Sequence, residues 1–120
     1  MFTLINHKTV SDAGSARIVD LIGNTSTIVN NENGTTTFSC EAIGYPTLTV
    51  VWRTSNGNFS DRVSVSDSIS VPTENRNIIR VRVNLTISNA AREDTGVYIC
   101  HASNVLGSDS RNVTVTVQCT

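Results

Sequence analysis

The sequence predicts an all-β fold of antiparallel sheet, and three observations carry that expectation. Six segments alternate apolar and polar residues with a period of two, which reserves one face of each strand for a core. The links between them are short and rich in Asn, Gly, Ser and Pro, residues whose backbone preferences suit turns. No apolar stripe with a period of 3.6 residues is long enough for a helix. Short strands separated by turns at such intervals build a sandwich or a barrel.

The elements follow in order. "TTTFSCEA" (35–42) sets Phe38, Cys40 and Ala42 on one face, and "LTVVWR" (48–53) directs Leu48, Val50 and Trp52 inward. In "RVSVSDSISV" (62–71) the same alternation places Val63, Val65, Ile69 and Val71 inward. "IIRVRVNLTIS" (78–88) has the clearest pattern, with Ile79, Val81, Val83, Leu85 and Ile87 alternating with Arg80, Arg82, Asn84 and Thr86. "VYICHA" (97–102) and "RNVTVTVQ" (111–118) complete the set, the last with Val113, Val115 and Val117 on one side. Turns are expected at "NNENG" (30–34), "SNGN" (55–58), "PTENRN" (72–77) and "NVLGSD" (104–109), and a single helical turn in "NAAREDTG" (89–96). Residues 1–15 are weakly patterned and are expected to lie outside the core. Residues 16–118 form the domain, and 119–120 begin a linker.

A chain of 120 residues suffices for one domain with one core. Its net charge of −1 gives no reason to expect nucleic acid as a partner. No run of about 18 apolar residues occurs, so any membrane attachment would come through other segments of a longer protein. The first twenty residues lack the charged start and continuous apolar stretch of a signal peptide, which leaves an intracellular protein or a fragment of a larger one.

Three cysteines, Cys40, Cys100 and Cys119, are spaced too widely for the close pairs of a zinc site, so no metal is expected. A disulfide between two of them, with one left over, is the better reading. Inward cysteines on facing sheets can bridge a sandwich. Closing the loop of about 60 residues from Cys40 to Cys100 would stabilise the fold by about 4 kcal/mol on the chain-entropy account. Trp52, the only tryptophan, sits inward on the strand after Cys40, where an indole fills a core centre. Tyr98 shares the inward face of Cys100, and its hydroxyl can reach back to the backbone of the preceding corner. Five N-x-S/T tripeptides stand at Asn24, Asn33, Asn58, Asn84 and Asn112, candidate glycan acceptors in a chain whose Asn, Ser and Thr content makes several matches unsurprising. With a disulfide, they favour the secretory pathway.

"C-x11-W" (Cys40 to Trp52), "L-x-I" (Leu85, Ile87) and "D-x-G-x-Y-x-C" (Asp94, Gly96, Tyr98, Cys100) stand in an order that resembles the immunoglobulin superfamily, over residues 16–118. "CEAIGYPTLTVVW" and "CHASNVLGS" are similar to the opening and the ending of its intermediate, or I-set, type. The resemblance implies a Greek-key β-sandwich of two antiparallel sheets, with Cys40 paired to Cys100 and Trp52, Leu85 and Tyr98 in the core. It also implies an ion pair between Arg62, at the start of "RVSVS", and Asp94. The span from Cys40 to Cys100 exceeds the usual I-set length, with the excess between Arg62 and Leu85, which leaves a variable-like arrangement open.

Function is expected at the surface. Asp94 has a structural assignment and Glu93 beside it points elsewhere. No G-x-S-x-G elbow or phosphate-binding loop occurs, and no convergent partner is placed beside His7 or His101, so no enzyme and no cofactor is expected of this domain. Val51 and Arg53, then Val97, Ile99 and His101, should face outward on neighbouring strands as a docking surface for a protein partner, with weak homodimerisation through it and Asn112 pointing the same way. Arg80, Arg82 and Arg76 read as a solvated basic row. Cys119 suggests a bond to another domain or chain, so the natural chain is expected to continue. The resemblance implies an extracellular recognition module of a cell-surface adhesion molecule or receptor, a receptor tyrosine kinase ectodomain among them, with any kinase domain elsewhere in the full-length chain. Two other readings stay open: a structural domain of an intracellular muscle-type protein, and a non-catalytic module of a secreted enzyme.

Overall fold

A computed structural model of the chain describes residues 14–21, 27–55, 57–74 and 77–118. Nine strands run in chain order: β1 (Arg17–Leu21), β2 (Thr27–Asn31), β3 (Thr36–Gly44), β4 (Thr49–Thr54), β5 (Val63–Val65), β6 (Ile69–Ser70), β7 (Ile79–Ile87), β8 (Gly96–Asn104) and β9 (Gly107–Gln118). One 3-10 turn, Arg92–Asp94, precedes β8. The first sheet has the order β1-β3-β7, with β5 and β6 in succession on the far edge of β7; the second has the order β2-β9-β8-β4. The two pack as a sandwich, and every inward alternation of β3, β4, β7, β8 and β9 contributes to one core.

Phe38, Leu85, Ile87, Val113, Val115, Cys40 and Cys100 are fully buried at its centre. Large aliphatic and aromatic side chains of this kind each contribute roughly 1.5–3 kcal/mol when buried. Cys40 and Cys100 form a disulfide between β3 and β8, and their registered neighbours are Val83 and Trp52. Trp52 turns its edge-to-face partner Phe38 toward it at 5.2 Å between ring centres, and its Nε1–H donates to the Val83 carbonyl at 3.0 Å. That hydrogen bond crosses from one sheet to the other, so the indole buries its ring without stranding its donor.

Three features depart from the sequence reading. Two strands were not expected, β1 and β2. The second runs parallel to β9, with Thr27 beside Thr114 and Asn31 beside Gln118, so one pair in this sandwich is not antiparallel. Neither strand carries a clean alternation, which is why sequence pattern missed them. The third departure concerns 62–71, which is two short strands rather than one inward-facing strand. Ser66 exchanges bonds with Asn84: its N–H donates to the Asn84 carbonyl at 2.9 Å, and its Oγ accepts from the Asn84 N–H at 3.0 Å. Register then passes from Val65 opposite Leu85 to Ile69 opposite Arg82, so the Asp67–Ser68 stretch holds one residue more than β7 does. An extra residue reverses the side-chain alternation. Ile69 therefore shares the outward face of Arg82, and Val65, although opposite buried Leu85, stands on an open edge; the two are 38% and 40% exposed. The same bulge absorbs part of the excess length between Arg62 and Leu85. Among the described residues nothing pairs with the outer edge of β4, so the additional edge strands of a variable-like sheet are not formed there.

One end of the sandwich is closed by a residue whose role the sequence pattern did not reveal. Asn104, the last residue of β8, accepts at Oδ1 from the N–H groups of Ala16, Leu106 and Gly107 at 3.3, 3.0 and 3.1 Å. Its Nδ2 donates to the Gly14 carbonyl at 2.7 Å. One side chain thus joins the segment leading into β1 to the β8–β9 hairpin. The approach is close enough that a Cβ on Gly107 would stand 2.4 Å from Ser15 Oγ. Asn104→Ala would strand these donors; loss of about 1–3 kcal/mol is expected. Thermal unfolding should show it as a fall in Tm of roughly 5–15 °C, and an unchanged Tm would refute the closing role.

Candidate protein-docking face

Among the described residues, the most strongly engaged carboxylate is a structural one. Asp94 closes the 3-10 turn with its side chain 1% exposed. Arg62 donates to it twice, Nε to Oδ2 at 2.8 Å and Nη2 to Oδ1 at 3.2 Å. Ser60 Oγ donates to Oδ1 at 2.8 Å and the Ala91 N–H to Oδ2 at 2.8 Å. Every acceptor direction of the carboxylate is thereby occupied. Burial pushes the Asp94 carboxyl up, but the hydrogen bonds from Arg62, Ala91 and Ser60 outweigh it and hold the group below its ordinary value. The Arg62 guanidinium is raised, chiefly by its hydrogen bond to Asp94. The backbone carbonyl of Asp94 accepts the Tyr98 hydroxyl at 2.7 Å, and burial raises the Tyr98 phenol. Phe59 stacks on the Tyr98 ring at 6.2 Å. Glu93 is 75% exposed at its side chain, with its Oε2 4.0 Å from Arg62. The two adjacent acids therefore do separate things: one is spent on a corner, the other faces water.

The surface expected to dock a partner lies on the outside of β4, β8 and β9. Register sets Val51 beside His101 and Arg53 beside Ile99. It continues from His101 to Ser110 and from Ile99 to Asn112. Two rows thus cross the sheet. Arg53, Ser110 and Asn112 are exposed, whereas Val51, Val97, Ile99 and His101 are half-buried. Ile99 lies in an inner strand, with Arg53 on one side and Asn112 on the other. The His101 imidazole Nδ1 shares a hydrogen bond with Ser110 Oγ at 2.8 Å. This face is less apolar than the sequence alternation suggested, and its remaining β9 positions are Ser, Thr and Gln.

Other candidate residues fall elsewhere. Arg80 and Arg82 are not a solvated basic row: both lie against buried Glu41 on the outer face of the first sheet, Arg80 in direct contact and Arg82 at 4.0 Å. A carboxylate in the middle of a sheet needs that pairing. Asn33 and Asn58 are exposed in turns and Asn112 on its strand, while Asn84 is half-buried and accepts a hydrogen bond from Ser39. Asn24, Arg76, His7 and Cys119 lie outside the described residues. Among the described residues, no group of three or more His, Cys, Asp or Glu is arranged to hold a metal.

The sequence profile of the immunoglobulin I-set domain matches residues 20–117, across both sheets, the cystine and the Asp94 corner. The chain belongs to the immunoglobulin I-set family. This I-set domain is 38% identical over 82 residues to neural cell adhesion molecule 1 of Mus musculus, which covers 68% of the chain and 7% of that protein. It is 33% identical over 87 residues to vascular endothelial growth factor receptor 2 of Danio rerio, covering 72% of the chain and 6% of the receptor. Lachesin of Drosophila melanogaster is 33% identical over 95 residues, covering 78% and 23%. The chain therefore spans a small fraction of each of these proteins. Among solved structures, titin domains Z1Z2 in complex with telethonin superpose with a TM-score of 0.68 at 20% identity, covering 90% of this chain and 50% of that one. At that identity the likeness is one of fold.

The Asp94 corner gives a pH-dependent prediction. A carboxylate whose folded value is depressed contributes stability that is present above its unfolded value, near 3.9, and is lost as pH falls through the folded value. Asp94→Asn should cost about 1–3 kcal/mol at neutral pH, because the buried carboxylate site would lose its charge and turn an amide N–H₂ toward one set of its donors. The gap between wild type and variant should narrow as pH is lowered below about 4. Denaturant unfolding across that range measures it, and a gap independent of pH would contradict the assignment.

Proposed function

We propose that this I-set domain is an extracellular recognition module of a larger cell-surface protein, an adhesion molecule or the ectodomain of a receptor. The observation that carries the reading is the cystine at the centre of the core, with both sulfur-bearing residues at 0% exposure. Such a bond forms and persists in the oxidising secretory pathway and is rare in the reducing cytosol. The names of the sequence relatives agree with it, since adhesion molecules and a growth factor receptor are among them. The other reading, an intracellular structural domain, has only a likeness of fold to titin beside it. A buried cystine weighs against that alternative. A receptor tyrosine kinase would carry its catalytic domain outside this chain, and this module would pass on binding rather than chemistry.

Docking is assigned to the outer face of β4, β8 and β9. Among the described residues of that face, Arg53 and His101 are the titratable groups and no carboxylate accompanies them. A second copy laid on the same face would bring no opposite charge to Arg53, so nothing on that face favours the homodimer expected from sequence. A partner protein offering a carboxylate beside an apolar contact for Ile99 fits better. Glycans on Asn33, Asn58 and Asn112 would decorate the domain, and the last would border Ile99 directly.

The compartment is tested by chemistry on the protein isolated from its native source without reductant. Peptide mapping after alkylation without reduction should find Cys40 and Cys100 joined and N-glycans on exposed sequons. Alkylated, unpaired Cys40 and Cys100 with bare sequons would favour the intracellular structural reading.

A further inference from the structure

Two of the N-x-S/T tripeptides lie within long strands, and the fold treats them differently. In β7, Asn84 is half-buried and its amide oxygen accepts from the Ser39 hydroxyl. Thr86, two residues on, shares a hydrogen bond with Thr37 at 3.0 Å. Both groups of that tripeptide are committed to β3. In β9, Asn112 is exposed and Thr114 lies on the same outer face, because alternate residues of a strand point the same way. Among the described residues neither of these side chains makes a hydrogen bond. An oligosaccharide on Asn112 therefore costs the fold no contact, whereas one on Asn84 would crowd Ser39.

Register sets the direction in which an oligosaccharide on Asn112 would lie. Ile99 is its cross-strand neighbour, and side chains so placed stand about 4.5–5.5 Å apart at Cβ. Val97, opposite Thr114, is the diagonal neighbour on the same face. On the other side of β9, the described part of β2 begins beside Thr114, so no described strand flanks Asn112 there. A sugar ring has an apolar C–H face as well as its hydroxyls, and the apolar floor within reach is on β8. Beyond Ile99 the row ends at Arg53 on β4, two strand spacings or about 10 Å from β9. The first sugars of an oligosaccharide cover that distance.

We infer that Asn112 carries an N-linked oligosaccharide whose first sugars lie across Ile99 toward Arg53, closing the outer face of β4, β8 and β9. This regulation rests on the docking reading of that face: a chain with Asn112 bare offers Ile99 to a partner, and a modified chain withholds it. In the transfer, the Asn112 amide nitrogen bonds to the anomeric carbon of a lipid-pyrophosphate-linked oligosaccharide. The sugar–phosphate bond breaks, the lipid pyrophosphate leaves and one amide proton is released. Thr114 supplies the hydroxyl two residues on that the acceptor tripeptide requires. Asn33 and Asn58 lie in turns, not on a strand of this face, and take no part in the closure.

The chain secreted from cultured animal cells tests this. Glycopeptide mapping should find sugar on Asn112. Hydroxyl-radical footprinting should label Ile99 and Val97 in the modified chain about threefold or more weakly than in Asn112→Gln or Thr114→Val, since labelling follows the area open to water. Thr114→Ser keeps the acceptor tripeptide and should label as wild type does. Val105 and Leu106, exposed on the turn between β8 and β9, should label equally in every form. Enzymatic release of the oligosaccharide from the folded wild type should raise Ile99 labelling to the level of the variants, which keeps the result independent of how any variant folds. Asn112 found bare in the secreted chain would overturn the inference, and so would equal labelling of Ile99 with and without the sugar. The docking reading fails separately: if binding of the deglycosylated chain to cells of its source is unchanged by Ile99→Asp, the face docks nothing, and the oligosaccharide still covers it.

Discussion

The covalent bridge between Cys40 and Cys100 is the constraint on which the rest of this domain depends. It ties β3, central in one sheet, to β8, inner in the other, and so fixes the separation and relative position of two layers that have no backbone hydrogen bonds between them. Once that point is set, each neighbouring inward side chain has one space to fill. Phe38 packs edge-on against both Trp52 and Tyr98, and the Trp52 indole bonds across to β7. Aliphatic residues of β7 and β9 close the remaining volume. The bridge also excludes conformations of the unfolded chain, which is where much of its stabilising effect resides.

The two ends of the sandwich solve a different problem. Strands stop there, and backbone groups that the sheets no longer satisfy need partners. At one end Asp94 gathers Arg62, Ser60, Ala91 and Tyr98 around one turn. At the other Asn104 gathers the segment before β1 and the β8–β9 hairpin. Each is a short polar side chain accepting several donors at once, and each is costly to replace because several partly buried donors would lose their acceptor. The core thus sets the layers, and these two residues set how the loops leave them.

With the interior and both ends committed to structure, the proposed recognition role is left to the outside. The acids that stand side by side in "EDTGVYIC" illustrate the division, one neutralised in a corner and one facing water. In the proposed reading, the outer sheet face would offer Arg53 and Ile99 to a partner. An immunoglobulin fold serves such uses because its loops and edges can change without disturbing the layer between the sheets.

Much of this was legible before any coordinates. Inward alternation in 35–42, 48–53, 78–88, 97–102 and 111–118 reflects the pleat itself, which turns every second side chain to the same face. The order of Cys, Trp, Asp, Tyr and Cys likewise pointed to one architecture. The parallel strand β2 was not legible, because its partner β9 lies at the far end of the chain and only closure of the sheet brings them together. Nor was the face of Ile69, because one extra residue reverses an alternation and nothing local marks where β7 skips it. The pairing of Arg80 and Arg82 with Glu41 depends on register between strands distant in sequence, so a row that read as solvated became the cover of a buried charge. Sequence by itself determined which residues prefer water and which do not; the tertiary structure alone decided which of them meet, because register and sheet closure are properties of the whole chain.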